Sequence, residues 1–449
     1  LNSLYRPFTA EKLVQEMVRK EPNALNYLPY LSSMIDSSIG IIKYLGEEEY
    51  LWGDEPRFPT VRAELTPTNL LSSGGYFHSP AEGGRSLDVR VATLKALMEG
   101  AERYSLSLYE KEKLDFDSYN NLIYSKKQVV DPTLFISHDK TLNKEYSAYI
   151  KDSKMYWTTA WSWKNQDYIL IPAQLVYLPY AFSDNEPVLR DPLTTGAAAG
   201  FTYGKAVMRG LLEVLERDAT TIIHYCSLTR CRFNKIDLKK YPSIDWLIKE
   251  IEACDLKLDI YDYSLDLPVP IVAVRIMDTS GVGPAITVGS KASFDIVSAV
   301  EGALLEATCF RSPMRERMNH AKEIFKELIN DYNKIISGEL RAYLWLNREM
   351  QDKLEYLDKS TTFSSKFQDY KGFSCKNINN LIHSTIAKGQ DILITDIGVR
   401  EIDSFGIKVV KVIVPKLQPM HLDESNICWT ERIHEFNSFG FNKIPHPFL

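Results

Sequence analysis

The strongest constraint on this chain is a charged motif set twice into apolar helices. One copy lies in Thr194 to Cys226, TTGAAAGFTYGKAVMRGLLEVLERDATTIIHYC. The spacing predicts a long helix from about Tyr203. Its Ala206, Val207, Leu211, Leu212, Val214, Leu215, Ala219, Ile222 and Ile223 spread nearly all round the axis, which marks a helix buried on most sides. Yet Glu213, Glu216 and Arg217 stand in its middle. The two carboxylates are three residues apart and share a face. Buried like charges are costly unless cations neutralise them. The stretch is therefore either a local defect in a core helix or a site for metal and phosphate.

The second copy, VATLKALMEGAERYSLSLYE from Val91, repeats that spacing with Glu99, Glu102 and Arg103. Each copy follows a glycine-bearing turn, Gly83 to Ser86 (GGRS) and Thr194 to Gly196 (TTG). One E-x-x-E-R on a helix reads as a solvated ion pair. Two on apolar helices predict a pair of homologous helices facing each other, with four carboxylates at one locus. Magnesium is a hard cation that takes carboxylate and phosphate oxygens. The carboxylates suit metal ions bridging to a polyphosphate, with the arginines on phosphate oxygens. No G-x-x-x-x-G-K-[ST] occurs, and the kinase loop motifs are missing, which excludes a Walker P-loop and a protein kinase.

At these residues the sequence resembles the YcaO family, ATP-using enzymes that activate peptide backbone amides. The matching stretches are GGRSLDVRVATLKALMEGAERYS, TTGAAAGFTYGKAVMRGLLEVLERDA, GSKASFDIVSAVEGALLEATCFR and VVKVIVPKLQPMHLDE. The resemblance implies that Glu99, Glu102, Glu213 and Glu216 hold Mg2+ on the phosphates of ATP. It also implies an ATP site that includes Arg85, Ser86, Lys95, Arg103, Thr195, Ala198, Arg217, Glu306 and Arg311. The sequence departs from the family pattern at several positions. Ala198 and Phe201 replace a Ser and an Asn, Lys205 a Glu, Lys95 a Ser, Cys309 a Gln and Lys416 a Gly. These departures touch the adenosine and phosphate-turn contacts and leave the four carboxylates in place.

The rest of the chain supplies the frame. Its 449 residues suffice for one large or two medium domains, and 45% hydrophobic with 25% charged residues is ordinary globular composition. A net charge of -6 gives no electrostatic case for nucleic acid. No run of about 18 apolar residues predicts a membrane span, and LNSLYRPFTAEKLVQEM does not read as a signal peptide. The cysteines, at 226, 231, 254, 309, 375 and 428, form no C-x-x-C and read as buried reduced thiols of a cytoplasmic protein. His224 reads as a core or helix-end residue.

Thr9 caps a helix to about Arg19, and 57–65 reads as a strand. Residues 155–163, 168–180, 256–263, 269–277, 285–289, 391–396 and 407–414 also read as strands, 294–311 as a third helix, and 319–358 as helix-forming outer layer. The strand–turn–helix grammar occurs three times without one-for-one alternation, so the expected class is α+β, built of internally duplicated units. Residues 1–78 form an N-terminal extension suited to partner docking. Residues 79–414 form the catalytic core, and 415–449 a C-terminal segment.

The chain closes on NKIPHPFL. The resemblance implies that such a proline-bearing tail reaches the active site, which marks Pro445, Pro447 and Leu449 as candidate catalytic residues. It further implies cyclodehydration of Cys, Ser or Thr in a ribosomal precursor peptide to thiazoline or oxazoline. Expected partners are the precursor peptide, an E1-like (ThiF-like) leader-binding protein, a dehydrogenase and a second copy of the chain. Thioamide formation with an external sulfur donor, and a non-catalytic nucleotide-binding scaffold, are the competing readings.

Overall fold

The computed structural model describes residues 8–20, 23–49, 52–73, 81–359, 363, 367 and 377–448. Three sheets are present among them, and every strand pairing is antiparallel. The first holds β1 (Ile42–Glu47), β2 (Thr60–Leu65) and β3 (Ala81–Arg85), in that order. The second, six-stranded, runs β4 (Asp115–Ser118), β5 (Lys154–Ser162), β11 (Leu393–Asp396), β12 (Lys408–Ile413), β7 (Ala197–Gly200), with β6 (Asp167–Pro172) also on β5. The third orders β10 (Ile286–Ala292), β9 (Ile271–Asp278) and β8 (Leu256–Asp262). Mixed helices and antiparallel sheets make the class α+β, as the sequence predicts.

One helix follows the last chain-order strand of each unit: Val89–Ser107 after β3, Tyr203–Tyr225 after β7, Ile296–Cys309 after β10. We call them the first, second and third helices. Each starts at a side-chain N-cap, from Asp88, Thr202 and Asp295, which accept the N–H of Arg90, Lys205 and Ser298. Glu99, Glu213 and Glu306 stand at one common offset from those caps. Glu102, Glu216 and Cys309 stand at a second. The duplication read from the sequence is therefore threefold in register, with Cys309 in the third copy where the other two have a carboxylate.

The packing of strand on helix explains one departure from expectation. Gly83 and Gly84 lie within β3 rather than in a turn. The first helix presses so closely on β3 that a Cβ on Gly84 would sit 2.1 Å from the Ala92 carbonyl oxygen. Gly289 of β10 meets the third helix in the same way, 2.2 Å from the Ala307 nitrogen. Backbone cannot yield as a side chain does, so Gly84→Ala should cost about 3 kcal/mol. Equilibrium urea unfolding would measure it, and an unchanged midpoint would contradict the packing.

The first and second helices do not face each other directly. Strand alternation sends Val409 and Ile413 into one core with Ala197, Ala199, Leu97 and Ala101, and Val410 and Val412 into another with Leu211 and Leu215. The central sheet thus separates the two helices, with β7 as its edge strand.

Two further expectations change. The strand predicted over 168–180 ends at Pro172, where a proline cannot continue the ladder, and a 3-10 turn, Ala173–Leu175, follows. There Gln174, fully buried, donates to the Pro187 carbonyl (2.9 Å) and accepts from the Leu189 N–H (2.9 Å). Nor is 319–358 merely an outer layer. Arg341, Leu344, Trp345, Met350, Leu354 and Leu357 are buried, because Arg341 finds a buried carboxylate in Glu424 at 2.9 Å. The described residues between 8 and 73 are woven into the same body. Phe8, Leu13 and Met17 join the core of the second helix, and β1 and β2 complete the sheet of β3. No helix among the described residues is long and apolar enough to cross a membrane.

Candidate active site

The Glu helices deliver their charges as two neighbouring sets. On the first helix, Arg103 holds Glu99 at 3.3 Å and Glu102 at 3.8 Å. On the second, Arg217 holds Glu216 at 3.4 Å and reaches Glu306 of the third helix at 3.6 Å. Glu216 is oriented from β10, where it accepts from Ser290 Oγ (2.7 Å) and the Ala292 N–H (2.9 Å). Glu213 accepts from the Gly196 N–H in the turn before β7 (3.2 Å). Among the described residues, no three carboxylate, histidine or cysteine side chains converge as a ready-made metal cage. The four carboxylates stand in these two sets, each engaged by an arginine or a backbone N–H, and Glu213 and Glu102 both act on Lys411.

The charge balance of the second set is strained. Burial, then the nearby Glu216 carboxylate, pushes the Glu306 carboxyl well above its ordinary range, against Arg217 and Lys291. Crowded oxygen donors of this kind fit a hard divalent cation, which would relieve their mutual repulsion. The residues that would hold Mg2+ and phosphate are therefore compatible with it.

Lys411 links the two sets. It points from β12 into the protein, is 2% exposed, and donates its Nζ to the Leu193 carbonyl. Burial lowers its pKa, Glu213 and Glu102 oppose the shift, and Arg190 and Arg103 reinforce it. Lys411, Arg190, Asp191, Thr195 and Arg217 line one cavity of about 40 Å³. Lys411, Arg190 and Asp191 were not singled out from the sequence. A lysine inside the apolar run KVVKVIV was the available signal for the first.

The other predicted residues have these places. Arg85 donates to Thr60 Oγ1 (2.7 Å) and Thr308 Oγ1 (2.9 Å) and lies 3.7 Å from Glu48. Ser86 donates its N–H to the Pro59 carbonyl. Lys95 Nζ donates to the Arg85 carbonyl (2.8 Å), and Lys205 Nζ to the Met17 carbonyl (2.9 Å). Both lysines thus tie the frame together. Ala198 is paired with Val410 inside the sheet, and Phe201 stacks on Tyr27. Arg311 is 1% exposed under the third unit, where it grips Glu55 at 2.6 and 3.1 Å. The Cys309 thiol is half-buried, and desolvation pushes its pKa up. Cys226, Cys231, Cys254, Cys309 and Cys428 are free thiols.

The tail binds the far end of the second helix, about 17 Å along the axis from Glu213. His224 Nε2 donates to the Ile444 carbonyl (2.7 Å), Trp345 Nε1 donates to the Pro445 carbonyl (3.2 Å), and Pro447 and Phe448 pack beside Tyr261 and Tyr263. Burial lowers the His224 pKa to about 4, in keeping with a core role. Leu449 lies outside the described residues.

A family model described as YcaO cyclodehydratase, ATP- and Mg2+-binding, matches residues 83–418. The chain belongs to the YcaO family. The match takes in all four helix carboxylates and Lys411. A Methanothermobacter thermautotrophicus protein described as uncharacterized is 25% identical over 343 residues, 75% of this chain and 81% of its own length. Among solved structures, a heterocyclase in complex with substrate and cofactor superposes with a TM-score of 0.71 at 19% identity, covering 95% of this chain. This YcaO chain spans 57% of that heterocyclase's length. YcaO from Methanopyrus kandleri, bound with AMPPCP and Mg2+, gives 0.62 at 15% identity, covering 95% and 96% of the two chains. The Escherichia coli microcin synthetase McbBCD complex with pro-MccB17 bound gives 0.61 at 11%, covering 91% and 100%. ATP and Mg2+ are the cofactors of the family, and the fold of this YcaO protein is theirs.

Proposed function

We propose that this protein uses ATP and Mg2+ to cyclodehydrate Cys, Ser or Thr residues of a ribosomally made precursor peptide, giving thiazolines or oxazolines. The observation that carries the reading is the doubled Glu–Arg arrangement, with Glu99, Glu102 and Arg103 on one helix and Glu213, Glu216 and Arg217 on the other. Bound Mg2+ would neutralise phosphate charge there. The four carboxylates are its ligands in this reading, while Arg103, Arg217, Lys411 and Arg190 supply the cations around the transferred phosphate. Such a site works by positioning and electrostatic stabilisation and needs no enzyme nucleophile. The peptide nucleophile adds to the preceding carbonyl, the resulting oxyanion takes the phosphoryl group, and phosphate leaves with the original carbonyl oxygen.

A leader-binding E1-like protein is the expected partner, with residues 1–78 as its docking region. The similarity to the McbBCD microcin synthetase, itself a complex, supports a partner-dependent enzyme. The test is mass spectrometry of a candidate precursor peptide incubated with the protein, ATP, Mg2+ and the partner. We expect loss of one water per modified residue. Exchange of oxygen for sulfur, dependent on a sulfur donor, would replace this reading with thioamidation.

A further inference from the structure

Beside the cavity of Lys411 and Arg190 lies a buried group of ionisable side chains that phosphate chemistry does not use. His421 is 3% exposed, and it follows two residues after Pro419, which lines that cavity together with Asp191. Its Nε2 lies 2.8 Å from Tyr225 Oη. Tyr225 Oη in turn lies 3.1 Å from Glu424 Oε1, and Glu424 is held by Arg341 at 2.9 Å. An ionised, arginine-paired carboxylate only accepts, so the tyrosine hydroxyl donates to Glu424 and accepts from His421 Nε2–H. That assignment leaves His421 Nδ1 as a bare lone pair. It is buried and has no hydrogen-bond partner among the described residues. Asp191 Oδ2, on the wall of the cavity, is likewise buried and unpartnered. One orphaned acceptor on the cavity wall, and a second on the residue two positions beyond Pro419 of that wall, call for a ligand that brings hydrogen-bond donors.

We propose that His421 is the general base that takes the proton of the peptide nucleophile, with Tyr225 and Glu424 as the residues that position its ring. The proposal rests on the azoline reading and assigns it a step the Glu helices leave open. The X–H bond of the substrate thiol or hydroxyl breaks, and its proton passes to Nδ1. Its electron pair forms the bond to the preceding carbonyl carbon, and the carbonyl π pair moves to oxygen. Asp191 supports the imidazolium so formed.

The groups that act on the ring come from every element around it. They are Tyr225 and His224 on the second helix, Arg341 on the helix Gly338–Trp345, and Glu424 on its own loop. Asp191 before β7 and His446 of the tail complete the set. Burial first, and Arg341, keep His421 below its ordinary range against Glu424 and Asp191, so the neutral base is available near pH 7. The tail shapes this site too. His446 Nε2 donates to the His421 carbonyl (2.8 Å), and the His446 N–H donates to Tyr225 Oη (3.3 Å).

The test compares wild type, His421→Gln and Tyr225→Phe for peptide dehydration across pH, with ATP affinity measured alongside. General-base loss removes about 10²-fold or more of rate. We expect His421→Gln to lose that much with ATP affinity retained, and to lose the acid limb of the pH–rate profile. Tyr225→Phe removes the acceptor that favours the imidazolium, so its acid limb should move to lower pH. A His421→Gln protein with the wild-type rate and acid limb overturns the proposal and leaves the azoline reading standing. If His421→Gln fails to fold, an unmoved acid limb in Tyr225→Phe overturns it instead. A wild-type protein that binds ATP and Mg2+ but dehydrates no peptide with its partner overturns the azoline reading, and this proposal with it.

Discussion

Glu216→Gln should abolish Mg2+-dependent ATP turnover, with a fall of about 10²-fold or more, while the protein stays folded. The substitution keeps the side chain's volume but removes one negative charge from the set that faces Arg217 and Glu306. A metal ligand that stabilises phosphate charge contributes several kcal/mol to the transition state, which sets that scale. Two donors, Ser290 Oγ and the Ala292 N–H, converge on the carboxylate. The amide can accept only one of them well, and an unsatisfied buried N–H costs about 1–3 kcal/mol. Phosphate release titrated against Mg2+, together with a melting curve, separates the two effects. Full Mg2+-dependent turnover in the variant would remove Glu216 from the metal site.

Arg311→Ala should have the largest effect on stability, about 3 kcal/mol, because it leaves the buried Glu55 carboxylate with the longer contact to Arg315 at 3.6 Å. Arg311 and Glu55 are 1% and 3% exposed, and Arg311 also donates to the Pro284 carbonyl and lies 3.6 Å from Asp278. The resemblance places this arginine at ATP, whereas its bonds tie the third helix unit to Glu55. Melting and nucleotide binding decide between these roles. A large fall in the melting midpoint, with ATP affinity retained below the transition, is expected. Lost affinity with an unchanged midpoint would reverse the assignment.

The parts of this protein legible in its sequence are those written in local pattern. The doubled E-x-x-E-R, the Thr9 cap and the apolar runs at 256–262 and 408–413 each depend on neighbours within a few turns, and each forms as its pattern dictates. What escaped depends on partners far apart in the chain. Arg341 was hidden because its carboxylate stands at Glu424, and Arg311 because its own stands at Glu55. Gly84 looked like a turn residue because glycine signals both sharp turns and close approach. Only the first helix, once packed, distinguishes them. The separation of the Glu helices by the central sheet was illegible for the same reason. Periodicity shows which side of a helix is buried but not what covers it. The helix offsets became readable only when Asp88, Thr202 and Asp295 were known to be caps.

The largest hydrophobic core contains Phe8 from one end of the chain and Phe448 from the other. This closure orders events during synthesis. The second helix can form early, but the pocket around His224 and Tyr225 has no wall until residues 442–448 have left the ribosome. A nascent chain that stalls short of them exposes Trp345, Tyr225 and Tyr263 to solvent, and such surface is what chaperones bind. Termination near residue 440 should therefore yield a protein that is cleared rather than one that is merely slow.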